Sequence, residues 1–184
     1  MARQPVFSIG SLRRRASALP GERRGASAVE FALVAPPLFL LLVGLFEVCL
    51  IFFVSGVLEQ GARDAARTLR TGEFQAGSEI NADTFRTNIC TSMADLFDCE
   101  ANLAIDVRRV SGFPTIQDSA PLDSDGKLDR TNFGFDPGGA DDIVIVNVYY
   151  EWPLITPMIS APMANLPGGR RLLVSSQAFR NEPF

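Results

Sequence analysis

The 184-residue chain contains no histidine, a single lysine (Lys127), one tryptophan and two tyrosines. Without histidine, charge-relay hydrolysis, His-ligated zinc and imidazole proton shuttling are excluded, because no side chain titrates near neutrality by default. Lys127 belongs to no G-x-x-x-x-G-K-[ST] string, so a P-loop nucleotide site is excluded as well. Scarce lysine, with 17 basic against 21 acidic side chains, argues against nucleic-acid binding. No cofactor and no metal site is expected. The length suits one modest domain, or a small domain plus an anchoring segment.

What is present is unevenly placed. Residues 1–25 carry six arginines (Arg3, Arg13, Arg14, Arg15, Arg23 and Arg24) and one acid, Glu22, whereas the rest of the chain has a net charge of −9. Between them, from Phe31 to Val54, runs FALVAPPLFLLLVGLFEVCLIFFV, in which Glu47 is the only charge. As a helix this stretch is about 36 Å long, enough for a hydrocarbon core of about 30 Å. A core helix of this length would normally show a polar stripe, which this one lacks. The arginines precede the run and few basic residues follow it, which predicts residues 1–25 in the cytoplasm and the body outside. A cleaved secretory signal is the competing reading, but the run is long and Val54-Ser55-Gly56 is a poor small-x-small site. A lipoprotein fails because Phe46, Glu47 and Val48, rather than small residues, precede Cys49. Pro36 and Pro37 predict a kink near Leu33, which lipid-embedded helices tolerate. Glu47 is costly in lipid. It is expected to snorkel to the outer interface, with pairing to another subunit as the alternative.

Immediately before the apolar run stands Arg23-Arg24-Gly25-Ala26-Ser27-Ala28-Val29-Glu30-Phe31. The string resembles a type IV prepilin cleavage site and is most similar to the TadE/TadG-like minor pseudopilins of tight-adherence (Tad, Flp) pilus systems. The resemblance implies a scissile Gly25–Ala26 bond, and Glu30 and Phe31 as residues used in processing and assembly. Independently of it, a glycine at the bond resists helix formation and keeps the chain extended. Cleavage there would remove all six leader arginines and leave a free amine next to lipid, and Glu30 is the nearest carboxylate to answer it. Ser27-x-x-Glu30 also reads as a capping box, and a glutamate in a first turn is favoured by the helix dipole in any case.

Helix is predicted to continue through SGVLEQGARDAARTL, where Leu58, Ala62, Ala65, Ala66 and Leu69 form an apolar stripe and Glu59 and Arg63 stand i,i+4. One helix from about Ala28 to Thr71 therefore has a greasy half and an amphipathic half, ending at Gly72. A second helix is expected over Ala82–Phe97, with Asp83 near its N-cap and Phe85, Ile89, Met93 and Leu96 on one face. Cys90 lies on it and Cys99 just beyond; outside the membrane a disulfide closing this short loop is expected, the alternative being a metal or redox pair without C-x-x-C spacing. Cys49 stays unpaired. Strands are predicted over Asn102–Val110, over Ile143–Trp152 as a nearly continuous apolar run suited to a central position, and over Arg171–Phe179. The segment AFRNEPF at 178–184 is similar to a tail of TadE/TadG-like proteins.

Two loops complete the pattern. Residues 111–142 hold seven aspartates, and LDSDGKLD hints at calcium, but its EF-hand register puts Pro121 first and Asn132 last, so a solvated acidic loop is expected. Residues 153–169 are poor in polar groups, with Ile155, Met158, Ile159 and Met163 candidates for a subunit contact.

The expected architecture is α+β: a basic leader (1–25), a transmembrane helix (26–54) and an extracytoplasmic domain (55–184) with a short helix and an antiparallel sheet of about three strands. The resemblance implies a non-enzymatic pilin-like subunit of a bacterial inner membrane. Its partners would be membrane lipid, a prepilin peptidase, and the other pilins and assembly platform of a Tad pilus. The competing function is an uncleaved single-pass anchor carrying a binding or adhesion domain. An anchored hydrolase using paired aspartates lacks a scaffold that would fix their separation.

Overall fold

In a computed structural model of the chain, residues 25–77, 80–93, 98–112, 120–156 and 161–184 are described. A 45-residue helix, α1 (Ala26–Arg70), opens the described chain and runs through Pro36 and Pro37 without interruption. Two compact units divide between Val43 and Gly44. In the first, α1 bears a coat of exposed apolar side chains, including Phe31, Leu33, Phe39 and Leu41. The helix is long and apolar enough to cross a membrane, and only 17% of its most apolar window is buried, unlike a core helix of a soluble protein.

The second unit is built on the other end of α1. Ile51, Val54, Leu58, Ala62, Ala65 and Leu69 recur three and four residues apart, all below a tenth exposed, and form one side of the core. Small residues let the second helix, α2 (Ala82–Ser92), come close: a Cβ on Gly61 would stand 3.2 Å from Met93 Cγ and 3.3 Å from the Ile89 carbonyl. The α2 N-cap is Asn81, whose side-chain oxygen accepts from Thr84 N at 2.8 Å. Asp83, expected at the cap, lies inside the first turn and pairs with Arg86 at 2.8 Å. Leu96 and Phe97, expected to extend this helix, fall outside the described residues. One further turn, α3 (Cys99–Asn102), has no periodic sequence signal because it is only four residues long. A disulfide joins Cys90 of α2 to Cys99 of α3, with Cα atoms 5.6 Å apart.

Three antiparallel strands follow, β1 (Leu103–Val110), β2 (Ile143–Pro153) and β3 (Arg170–Arg180), with β2 in the centre. The register pairs Leu103 with Tyr150 and Val110 with Ile143 on one side, and Ile143 with Arg180 and Pro153 with Arg170 on the other. Alternation along β2 sends Val144, Val146, Val148, Tyr150 and Trp152, each at most 1% exposed, into the core that α1 and α2 cover.

The described part of the segment expected as a solvated acidic loop, residues 120–142, is mostly exposed and keeps four of its aspartates in solvent, but it is pinned to the sheet at a few points. Val107 N donates to the Gly134 carbonyl and Asp136 N to the Val107 carbonyl, both at 2.9 Å, so residues 134–136 lie along the outer edge of β1. Phe135 joins Phe74 and Phe85, its ring centroid 5.9 and 5.6 Å from theirs. Phe133 stacks on Tyr149 at 5.2 Å over the second face of the sheet, beside Ala104, Leu128, Leu166 and Leu172. Asp106, 4% exposed, accepts from Gly134 N at 2.9 Å and from Arg108 Nε at 2.8 Å, which holds the loop to the strand. That hydrogen bond raises the Arg108 pKa, and burial raises that of Tyr149. The aromatic residues interleaved with the aspartates, rather than the aspartates themselves, decide the outcome.

Candidate functional site

Gly25 lies in a 3-10 turn that runs directly into α1 at Ala26, so it is helical and not the extended residue expected from the sequence. The helix starts two residues earlier than its sequence pattern suggests. Ser27 therefore lies inside the first turn and is not the N-cap, which removes the capping-box account of the Ser27–Glu30 spacing. Gly25, Ala26, Glu30 and Phe31 are all exposed, and a Cβ added at Gly25 would meet nothing within 4 Å. Glu30 makes no hydrogen bond or ion pair among the described residues. Among the described residues the segment thus presents a small, uncrowded peptide bond where a 3-10 turn passes into α1, and four residues on from Ala26 an unpaired carboxylate.

Residues 25–67 match the model of the family described as TadE-like protein. The segment is TadE-like. The match opens on Gly25 itself and runs along α1 through its apolar stretch and most of its amphipathic one. Comparison with curated proteins and with solved structures finds no match. The TadE-like match points to a protein associated with a Tad pilus and carrying one apolar helix suited to single-pass anchoring. It names a structural, pilus-related family rather than an enzymatic one.

Beyond the Gly25–Phe31 stretch, the residues singled out in the sequence take up distinct places. Arg63 and Glu59 pair on the exposed side of α1. Cys49 is a free, exposed cysteine. The LDSDGKLD stretch forms a tight turn in which Asp123 Oδ1 accepts from Asp125 N at 2.9 Å and Lys127 N at 2.8 Å, with Leu122 and Leu128 bridged across it. Its leading carboxylate is thus spent on the turn. Among the described residues no three acidic or thiol side chains come together as a metal cluster. In the 153–169 loop, Ile155 is exposed, Met163 packs against the core and Leu166 is buried, while Met158 and Ile159 lie outside the described residues.

Glu47 departs most from expectation. It does not reach outward to an interface. It is 2% exposed, and its Oε1 accepts from Ile155 N at 2.5 Å and Thr156 N at 3.3 Å. The reason is positional: Glu47 continues the stripe of Ile51, Val54 and Leu58 by one more turn and so faces the domain instead of lipid. Counting back from Leu58 by threes and fours would have revealed this.

A second set of contacts was invisible locally. Asn181, 2% exposed, donates through Nδ2 to the carbonyls of Pro137 at 3.0 Å and Gly139 at 2.9 Å, while its own N–H reaches the Asp142 carbonyl at 2.8 Å. Glu182 N donates to the Arg70 carbonyl at 2.8 Å and its carboxylate pairs with Arg70 at 3.2 Å. Phe184 lies so close over Gly72 that a Cβ there would fall 2.3 Å from Phe184 Cγ, and φ at Gly72 is +75°. The 181–184 segment, noted in the sequence only as similar to a family tail, is a clasp over the end of α1 that satisfies a terminal helix carbonyl.

Proposed function

We propose that the protein is a minor pilin-like subunit of a Tad-type pilus. It is inserted as a precursor with its arginine-rich leader in the cytoplasm, cleaved after Gly25 by a prepilin peptidase, and assembled with other pilins. The observation that carries this reading is the coincidence at one peptide bond of three independent features. The TadE-like match begins there, a 3-10 turn passes into α1 there, and among the described residues the glycine side of the bond is uncrowded. The unpartnered Glu30 supports it further, since a new ammonium at Ala26 in a low-dielectric setting requires a carboxylate from its own or a neighbouring subunit. The reading makes the protein a substrate of the processing chemistry, with no catalytic residue of its own.

Mass spectrometry of the protein extracted from membranes tests it. The expected amino terminus is Ala26, and Gly25→Trp is expected to leave the precursor uncut. Because nothing among the described residues stands within 4 Å of a Cβ at Gly25, a block would reflect exclusion from the peptidase and not a folding fault. A functional protein retaining Met1 or Ala2 would overturn the reading.

A further inference from the structure

We infer that the lower end of the folded domain is itself seated in the outer headgroup layer of the bilayer, with Phe52, Phe53 and Ile155 in contact with lipid; this rests on the membrane-anchoring part of the proposed function. The twenty-one residues from Ala26 to Phe46 make about 31 Å of helix, already the thickness of a hydrocarbon core. The apolar coat nevertheless does not stop there. Phe52 is 73% and Phe53 56% exposed on α1, and Ile155 is 64% exposed on the loop that touches Glu47. Phe53 lies about 9 Å beyond Glu47 along the helix, comparable to the depth of an interfacial layer.

Glu47 supplies the second observation. A carboxylate beside water extends toward it, yet Glu47 is folded inward beneath the amides of Ile155 and Thr156, and its Oε2 is buried with no partner among the described residues. A carboxylate turned into the domain and cut off from water needs such donors, and lipid at this level of the helix leaves it no solvent to turn to instead. A groove between α1 and β3, lined by Val48, Phe52 and Val174, adds apolar surface, and Arg171 on its wall, which donates to the Met163 carbonyl at 2.8 Å, supplies a cation suited to a lipid phosphate. The occupant is lipid because Phe52 and Phe53 stand on the same helix as the apolar span, within about two turns of Phe46.

The test uses the full chain with Cys49→Ser, reconstituted in phosphatidylethanolamine–phosphatidylglycerol vesicles without reductant, and nitroxide labels at single cysteines replacing Phe53, Ile155, Leu40 or Glu73. Leu40 reports the span, and Glu73, exposed just past the far end of α1, reports water. The accessibility ratio of oxygen to a nickel chelate is expected to be several-fold higher at 53 and 155 than at 73. Ratios at 53 and 155 equal to that at 73, with 40 still lipid-like, would overturn the inference and leave the anchor intact. Labels at 53 and 155 shielded from both quenchers would overturn it in favour of a protein partner. A water-like ratio at 40 would defeat the anchoring reading, and the inference with it.

Discussion

Among single residues, Asn181 and Asp142 carry more than their position suggests, because Asn181 gathers backbone groups from a distant loop and Asp142 closes a tight turn within that loop. Asn181→Ala removes two side-chain hydrogen bonds and leaves the Pro137 and Gly139 carbonyls only longer contacts, from Gln75 Nε2 at 3.4 Å and Asp142 N at 3.3 Å, so a loss of about 1–3 kcal/mol is expected in urea unfolding of the detergent-solubilised protein. Asp142 Oδ2 accepts from Gly139 N at 2.8 Å. That amide, and more weakly Arg109, hold the Asp142 carboxyl below its ordinary value of 3.8. A group depressed in the folded state stabilises fully above its unfolded pKa and ceases to do so as acid protonates the folded carboxylate. Asp142→Ala is therefore expected to unfold more readily than the parent at neutral pH, with the gap closing below about pH 3.8; a constant gap across that range would show that ionisation plays no part. Neither role was legible in the sequence. Asn181 and Asp142 meet partners 39 to 44 positions away or across a turn, and no periodicity encodes such meetings.

Among the elements, those carried by long periodic patterns were readable and those made by partners were not. The α1 stripe from Ile51 to Leu69 and the apolar run of β2 announce burial on one side and a central strand, because each must satisfy a fixed repeat. α3, the Asn81 cap and the edge pairing of residues 134–136 depend on the disulfide, a side-chain rotamer and two aromatic anchors respectively. The acidic composition of that last segment concealed Phe133 and Phe135, which pack half-buried against the sheet and core while the neighbouring aspartates stay in solvent. The link between α2 and α3 is testable on its own. With Cys90→Ser and Cys99→Ser together, about 2–3 kcal/mol of stability is expected to be lost, matched by the parent under reductant. Loss in the variant without loss in the reduced parent would point to the serines rather than the missing bond.

For the whole molecule, the features tied to assembly and those tied to stability occupy different places. The exposed stretch from Gly25 to Phe31 makes no contribution to the core, whereas the domain from Gly44 onward holds the packed clusters. Glu30→Ala is accordingly expected to leave the melting curve unchanged and to abolish co-purification with neighbouring pilins; retained co-purification would show that its carboxylate is not used there. The candidate segment was legible because the TadE-like resemblance is carried by a local string, while the Glu47 cradle was not, because its donors lie more than a hundred residues away. The Cys90–Cys99 bond gives the molecule a built-in record of its own delivery. A copy whose body never left the reducing side would offer three thiols to a maleimide, and a copy delivered to the oxidising side only one, at Cys49, so counting alkylated sulfurs reads out which way the polypeptide was threaded.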